Sequence, residues 1–494
     1  METAARRTVH RLLTCWMLAG VPILCAGTPS CTAQEQYPKP LIHTPTDHPA
    51  ARVLLIGIDG MHASDLANWV AAHPHSALAE LTARGVTYTN AHTPIADPAA
   101  GLVALATGGT PISTGIVSSD GYDHALSPPG SSCRTLGTPI VLASRIDSIG
   151  EHAGGFVSSS LPLDPGHGCV PLSPHNLLRV NTIFEVVHEK IGRTAWVGEN
   201  TTMTDLLRGP SGQGLDDACS FEQHASGDAA RVAAVLHWID GKDCTGSHDA
   251  PVPALFGMNL TSVAAAQAAK GMGYVDAGGT PSAGLEKSVL DADEAIGRLV
   301  EELKAKHLYD STWIFVTSAY GQAPMDQRQL RLLPVARLRE VANTVQPAIA
   351  AHVSGGDSAM IWLNDPAKTG AVAKAYSDRA AALGIQEIYS GAKLALTLNS
   401  PKTDSRMPDI ILQAKPGVIW GPSNETVLAS YGGISDSDTH VALLVSGAQL
   451  TGRCDPTYVP TTQLAPLLLR ALGMEKFDLQ ALHKEHSPAL PGIF

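Results

Sequence analysis

Asp59, Glu199, Asn259, Ser318 and Tyr320 share a setting: each stands just beyond a short apolar run. Residues 53–58 lead into Asp59, 194–197 into Glu199, 254–257 into Asn259, and 312–317 into Ser318, Ala319 and Tyr320. Two carboxyl groups, an amide and two hydroxyls can hydrogen-bond a polar ligand or exchange a proton. Without His or Cys, the set lacks an imidazole base and the nitrogen and sulfur ligands that zinc prefers. Asp97 is a further carboxylate. Followed by Pro98, it reads as the cap and first residue of a helix, and a carboxylate nucleophile or metal ligand is the chemical alternative. Gly108-Gly109 reads as a turn, since no Lys-Ser/Thr follows to make a phosphate cradle. Of the 20 histidines, His175 sits in a Pro-His-Asn turn, His352 precedes a strand and His440 starts one. The start of a parallel strand is the wrong edge for a site.

Residues so spaced can meet only if their apolar runs lie side by side. Unbroken apolar runs suit strands buried on both faces, as in a parallel sheet. Between them lie helical stretches: 63–84, broken near His73-Pro74 and ended by Gly85, and 183–190. Leu285, Val289, Ala292, Ile296, Leu299, Val300 and Leu303 form the apolar face of another helix. Further buried strands are expected at 410–412 and 441–445, and a closing helix at 461–472. Alternating strands and helices predict an α/β fold, a mostly parallel central sheet with helices on both faces. Ligands in such sheets bind beyond the carboxyl ends of the strands. Residues 120–175 and 200–250, rich in Gly, Pro, Ser and Asp, read as loop insertions.

The chain has 494 residues, 44% of them apolar, and a net charge of −12. That is enough for a large core and argues against disorder. Without a Lys/Arg cluster, binding to nucleic acid is not expected. Arg6, Arg7 and Arg11 followed by an uncharged apolar stretch to Gly27 read as an export signal within residues 1–33, cleaved after Gly27 or Ala33. Export to the periplasm or outside the cell is therefore expected. Cys25 and Cys31 raise a lipid anchor as the alternative, but no Leu stands three positions before Cys31. No later segment is long and apolar enough to span a membrane. Residues 34–50 read as a linker and 51–494 as a single domain. Beyond residue 33 remain Cys133, Cys169, Cys219, Cys244 and Cys454. Cys219 with Cys244 is the expected disulfide, closing a loop worth roughly 3 kcal/mol, with Cys133–Cys169 next and Cys454 left as a free thiol.

The ordered motifs resemble a known family. Residues 53–61, ending Asp59-Gly60-Met61, are similar to the first strand and metal-binding turn of the type I phosphodiesterases and nucleotide pyrophosphatases of the alkaline-phosphatase superfamily. Thr107-Gly108-Gly109-Thr110-Pro111 with Thr114-Gly115-Ile116, Asn181-Thr182-Ile183-Phe184-Glu185, Phe256-Gly257-Met258-Asn259, Ser318-Ala319-Tyr320-Gly321-Gln322 and Tyr431-Gly432-Gly433 follow in the family's order, over about residues 52–473. The resemblance implies two zinc-like ions and a Ser or Thr nucleophile, with the ions polarising the phosphoryl group and activating the hydroxyl. It places the metal ligands at Asp59, Asn259, Val263, Ala319, Tyr320 and Tyr431, and the nucleophile about at Pro98. Only Asp59 keeps the expected side chain, and no Ser, Thr or Cys occurs between Thr93 and Thr107. The expectation is a family member without phosphoester hydrolysis that binds an unidentified small molecule or protein. The alternative is a hydrolase with a non-standard metal site, with zinc as its cofactor.

Overall fold

The computed structural model describes residues 50–142, 158–221, 225–324, 330–421, 432–475 and 478–494. The expected signal, the linker up to residue 49 and Tyr431 lie outside the described residues.

The central sheet is built from β1 (Arg52–Ile58), β2 (Gly85–Tyr88), β3 (Thr194–Gly198), β4 (Asp217–Ser220), β5 (Leu255–Leu260), β6 (Thr312–Thr317), β7 (Leu443–Ser446) and β8 (Arg453–Asp455). Across the sheet the order is β8-β2-β7-β6-β1-β5-β3-β4. Neighbours pair parallel from β6 to β4, whereas β7 pairs antiparallel with both β6 and β2. The fold is thus α/β, with a sheet in which β7 alone runs against the others. A buried apolar run does not encode strand direction, so this reversal was not legible at 441–445.

Side chains alternate across β1: Val53 and Leu55 join one core, Leu54, Ile56 and Ile58 the other. Helices cover both faces. On the face of Leu54, Ile56 and Ile58 pack α1 (Ala63–Ala72), α5 (Ala225–Ile239), α6 (Ser262–Ala268) and α7 (Ala283–Ala305). On the face of Val53 and Leu55 pack α2 (Pro98–Thr107), α3 (Ile183–Lys190), α4 (Thr201–Leu206) and α8 (Leu464–Ala471). Ser282 caps α7 through a 3.2 Å bond from Leu285 N–H.

Two sequence expectations need correction. Residues 410–412 are not in the central sheet: Ile410–Ala414 belongs to a separate antiparallel sheet with Ala350–Val353, Ser358–Leu363 and Ile385–Ser390. His352 accordingly lies within a strand. An apolar run reveals burial on two faces but not which sheet provides it. Residues 200–250 are not chiefly an excursion either, for they hold α4, β4 and the 15-residue α5. Glycines and aspartates that suggested loops are the turns between these short elements.

Disulfides join Cys133 to Cys169 and Cys219 to Cys244. The latter ties edge strand β4 to the turn after α5. Cys454 is disulfide-bonded too, which corrects the free-thiol reading.

Helix α2 approaches the loop after β6 so closely that a Cβ on Gly101 would lie 1.8 Å from Ala319 O. Because the obstacle is backbone, no side-chain rotation relieves it. Gly101→Ala should cost about 3 kcal/mol or more. Gly370→Ala, in a helix with open space around it, should instead be neutral or stabilising by up to about 1 kcal/mol. Urea unfolding of the two variants measures the contrast, and equal stabilities would contradict the close packing.

Candidate active site

Strand register gathers the candidate residues. Gly57 pairs with Asn259 and Ile58 with Leu260 in β5, while Gly57 also pairs with Thr317 in β6. The three parallel strands therefore end together. Asp59 N–H donates to Leu260 O at 2.9 Å, and Gly60, with φ +81°, donates to Tyr320 O at 3.1 Å. Ser318 is turned inward, donating its hydroxyl to Tyr320 O at 2.6 Å. Beside β5, strand β3 ends at Glu199, and Asn200 caps α4 by accepting from Met203 N–H at 2.7 Å.

Asp59, Glu199, Asn259, Ala319 and Pro98 line one small cavity together with Leu102, Trp196, Gly198 and Met203. Its volume is about 20 Å³, room for a water or two. Tyr320 is buried in the core and does not line it. Val263 faces apolar neighbours on the other side of the sheet. Asp97 is fully engaged as a cap: Oδ1 accepts from Ala99 N–H at 2.9 Å, Ala100 N–H at 3.1 Å and the Ser119 hydroxyl at 2.9 Å, and Oδ2 from Ser119 N–H at 2.8 Å. The alternative role of Asp97 as nucleophile or ligand thus competes with bonds that hold α2 in place. Among the histidines, His175 bonds Asp205, His352 bonds Asp120 and His440 bonds Thr89 O. None of the three lines the cavity.

The electrostatics are set by buried acids. Burial, and after it the neighbouring Glu199, push the Asp59 carboxyl up to about 8, against the lowering effect of a 2.8 Å bond from Asn259 Nδ2 and of Arg231. Glu199 is likewise raised by burial, opposed by Arg231. A buried carboxyl beside a half-buried one cannot ionise cheaply while its neighbour is charged, so the pair retains a proton near neutrality.

Arg231 is a site residue that the sequence reading missed. It is completely buried, paired with Asp228 one helical turn away on α5, and it donates to Thr261 Oγ1 at 2.7 Å and Phe221 O at 2.5 Å. Asp228 in turn caps α6, accepting from Thr261 N–H at 2.9 Å and Ser262 N–H at 3.0 Å. An Asp-x-x-Arg spacing on a helix was the available signal, but it is far commoner on solvated faces.

A two-zinc centre does not fit these residues. Around the cavity the possible donors are Asp59, Glu199 and Asn259, all oxygen ligands. Zinc wants at least three well-placed ligands per ion and favours nitrogen or sulfur. One oxygen of Asp59 is taken by Asn259, and the Arg231 guanidinium already supplies positive charge nearby. Among the described residues, the one cluster of three potential metal ligands is Asp217, Cys219 and Cys244, distant in role because both sulfurs are in the disulfide.

The fold, with its site at the carboxyl ends of parallel strands, is that of the alkaline-phosphatase superfamily. Murine ectonucleotide pyrophosphatase/phosphodiesterase 5, solved as an inactive variant in complex with AMP, superposes with a TM-score of 0.57 at 15% identity, covering 86% of this chain and 96% of that one. The human protein of the same name gives 0.58 at 17% identity over 86% and 95%. The alkaline phosphatase PafA gives 0.58 at 12% over 87% and 97%. At these identities the likeness concerns the fold alone. No curated protein matches the sequence. Residues 53–432 match the type I phosphodiesterase / nucleotide pyrophosphatase family, and the chain belongs to it.

The raised Asp59 has a consequence for stability. Its folded pKa lies above the ordinary 3.8, so the folded chain keeps a proton that the unfolded chain releases. The stability this contributes is complete below about pH 4 and is lost as pH rises toward 8. Asp59→Asn keeps the shape and removes the ionisation. It should be more stable than the native chain by roughly 1–3 kcal/mol near pH 8, the gain shrinking toward about pH 5. Urea midpoints across that range test it, and parallel pH profiles for the two proteins would refute the buried-proton assignment.

Proposed function

We propose that this phosphodiesterase-family protein is exported, has lost metal-dependent phosphoester hydrolysis, and serves as a binding or scaffold protein. The observation that carries the reading is the composition of the cavity at the strand ends. Pro98 and Ala319 line it in place of a hydroxyl and a carboxylate, and its remaining polar groups are Asp59, Glu199 and Asn259. Without a hydroxyl there, no covalent phosphoryl intermediate forms on the family pattern. Without nitrogen or sulfur donors, a nucleophile would lack activation even if supplied.

Two disulfides within the described residues are consistent with an oxidising compartment, and no described helix is long and apolar enough to cross a membrane. The disulfides support export, with residues 1–33 as the signal and 51–494 as the folded domain.

Hydrolysis of bis(p-nitrophenyl) phosphate by the zinc-loaded protein, alongside elemental analysis, tests the reading. Turnover should stay at background with zinc well below two equivalents. Pro98→Thr alone should remain inactive, because residues that act as a unit fail together. Zinc near two equivalents with chelator-sensitive turnover, abolished in Asp59→Ala, would instead establish the hydrolase with a non-standard metal site.

A further inference from the structure

Edge strand β4 and the turn after α5 hold three groups of metal-ligand type in one place. A carboxylate oxygen of Asp217 and the sulfurs of Cys219 and Cys244 all lie within 4.8 Å of one another. The two sulfurs are joined, with their Cα atoms 6.4 Å apart. Cys244 is buried, and Cys219 and Asp217 are half-buried. None of the three lines the cavity at Asp59, and β3 separates β4 from β5, which carries Asn259.

The S–S bond is not alone in bringing these groups together. Asp217 Oδ2 accepts from Arg193 Nη2 at 2.5 Å, Trp238 Nε1 at 2.9 Å and Cys244 N–H at 2.9 Å. The last of these bonds ties the Cys244 backbone directly to β4. Arg193 Nη1 also donates to Lys242 O at 3.3 Å and Pro251 O at 2.8 Å, on either side of the Cys244 turn. From α5, His237 Nδ1 donates to Cys244 O at 3.1 Å. Ala250 N–H donates to Gly241 O at 2.9 Å and closes the base of the turn. Cys219 is fixed by its strand, where it pairs with Val197 of β3. With the disulfide opened, this framework still keeps both sulfurs beside the carboxylate. The three donors to Asp217 meet one oxygen, Oδ2, and leave Oδ1 to serve as a ligand.

We propose that the Cys219–Cys244 disulfide is one of two alternative closures of this sheet edge, and that after its reduction Asp217, Cys219 and Cys244 bind one zinc ion. The opening step is thiol–disulfide exchange with an external dithiol. The dithiol supplies two electrons and two protons, the S–S bond breaks, Cys219 and Cys244 become thiols, and the reductant closes its own disulfide. Zinc then displaces both thiol protons to solvent. Two Zn–S bonds of about 2.3 Å in tetrahedral geometry set the sulfurs about 3.7 Å apart. Rotation about the two Cα–Cβ bonds reaches that separation with the backbone in place. Water fills the fourth position. Charge favours the assembly: two thiolates and the Asp217 carboxylate are balanced by the zinc ion and the Arg193 guanidinium. Thiolate ligands also select zinc over magnesium and calcium. In an oxidising compartment the disulfide is the resting closure, and zinc replaces it where a dithiol reductant reaches the edge.

Full-length protein, reduced with a phosphine and freed of it without oxygen, is titrated with ZnCl2 and in parallel with CoCl2. The reduced chain should stay folded by circular dichroism, retain about one equivalent of zinc through dialysis and release about two protons per zinc bound. Cobalt should give the sulfur-to-cobalt charge-transfer band and the intense visible absorption of a tetrahedral site. The oxidised chain should give neither. Cys244→Ser should abolish zinc retention. Asp217→Asn, which keeps an acceptor for the Arg193 and Trp238 donors, should weaken binding about tenfold or more. The combined Cys133→Ser, Cys169→Ser and Cys454→Ser chain should bind as the native one does, since its thiols are not the ligands. Should a serine variant fail to fold, Asp217→Asn and the cobalt spectrum of the reduced native chain decide. A reduced native chain that retains no zinc, or that unfolds before zinc is added, overturns the proposal. So does zinc retained equally by the oxidised chain or by Cys244→Ser.

Discussion

Asp59 and Glu199 are drawn out of water into the same small cavity, and much of the candidate site is a response to that confinement. A buried carboxylate is tolerable only with hydrogen bonds and opposite charge. The Asn259 amide bonds Asp59 directly, and Arg231, itself buried and anchored through Asp228, provides the field that favours ionisation of both acids. The same Asp228 caps α6, so the charge balance at the cavity and the start of a helix beyond β5 share one carboxylate. In the family pattern metal ions would supply that positive charge. Here an arginine and a retained proton reduce the need for one.

Packing reinforces the electrostatics. Helix α2 begins at Pro98, is capped by Asp97 and lies against Ala319 O with no space for a side chain at position 101. Leu102, Trp196 and Met203 close the cavity from the same side. An apolar wall strengthens every charge interaction inside it, and it also keeps the acids protonated. Bringing the strand ends together therefore yields a small, proton-holding recess.

The sequence by itself determined the α/β class, the ends of β1, β3, β5 and β6, and the presence of Asp59, Glu199, Asn259 and Ala319 at those ends. Apolar period and turn residues are local signals, and strand-end positions follow from them. Tertiary structure decided the rest. Parallel or antiparallel pairing of β7, and the removal of Ile410–Ala414 to another sheet, depend on partners far along the chain that an apolar run does not specify. Arg231 turned inward because helix packing placed it there. A charged residue in a sequence looks solvated until the fold shows what surrounds it.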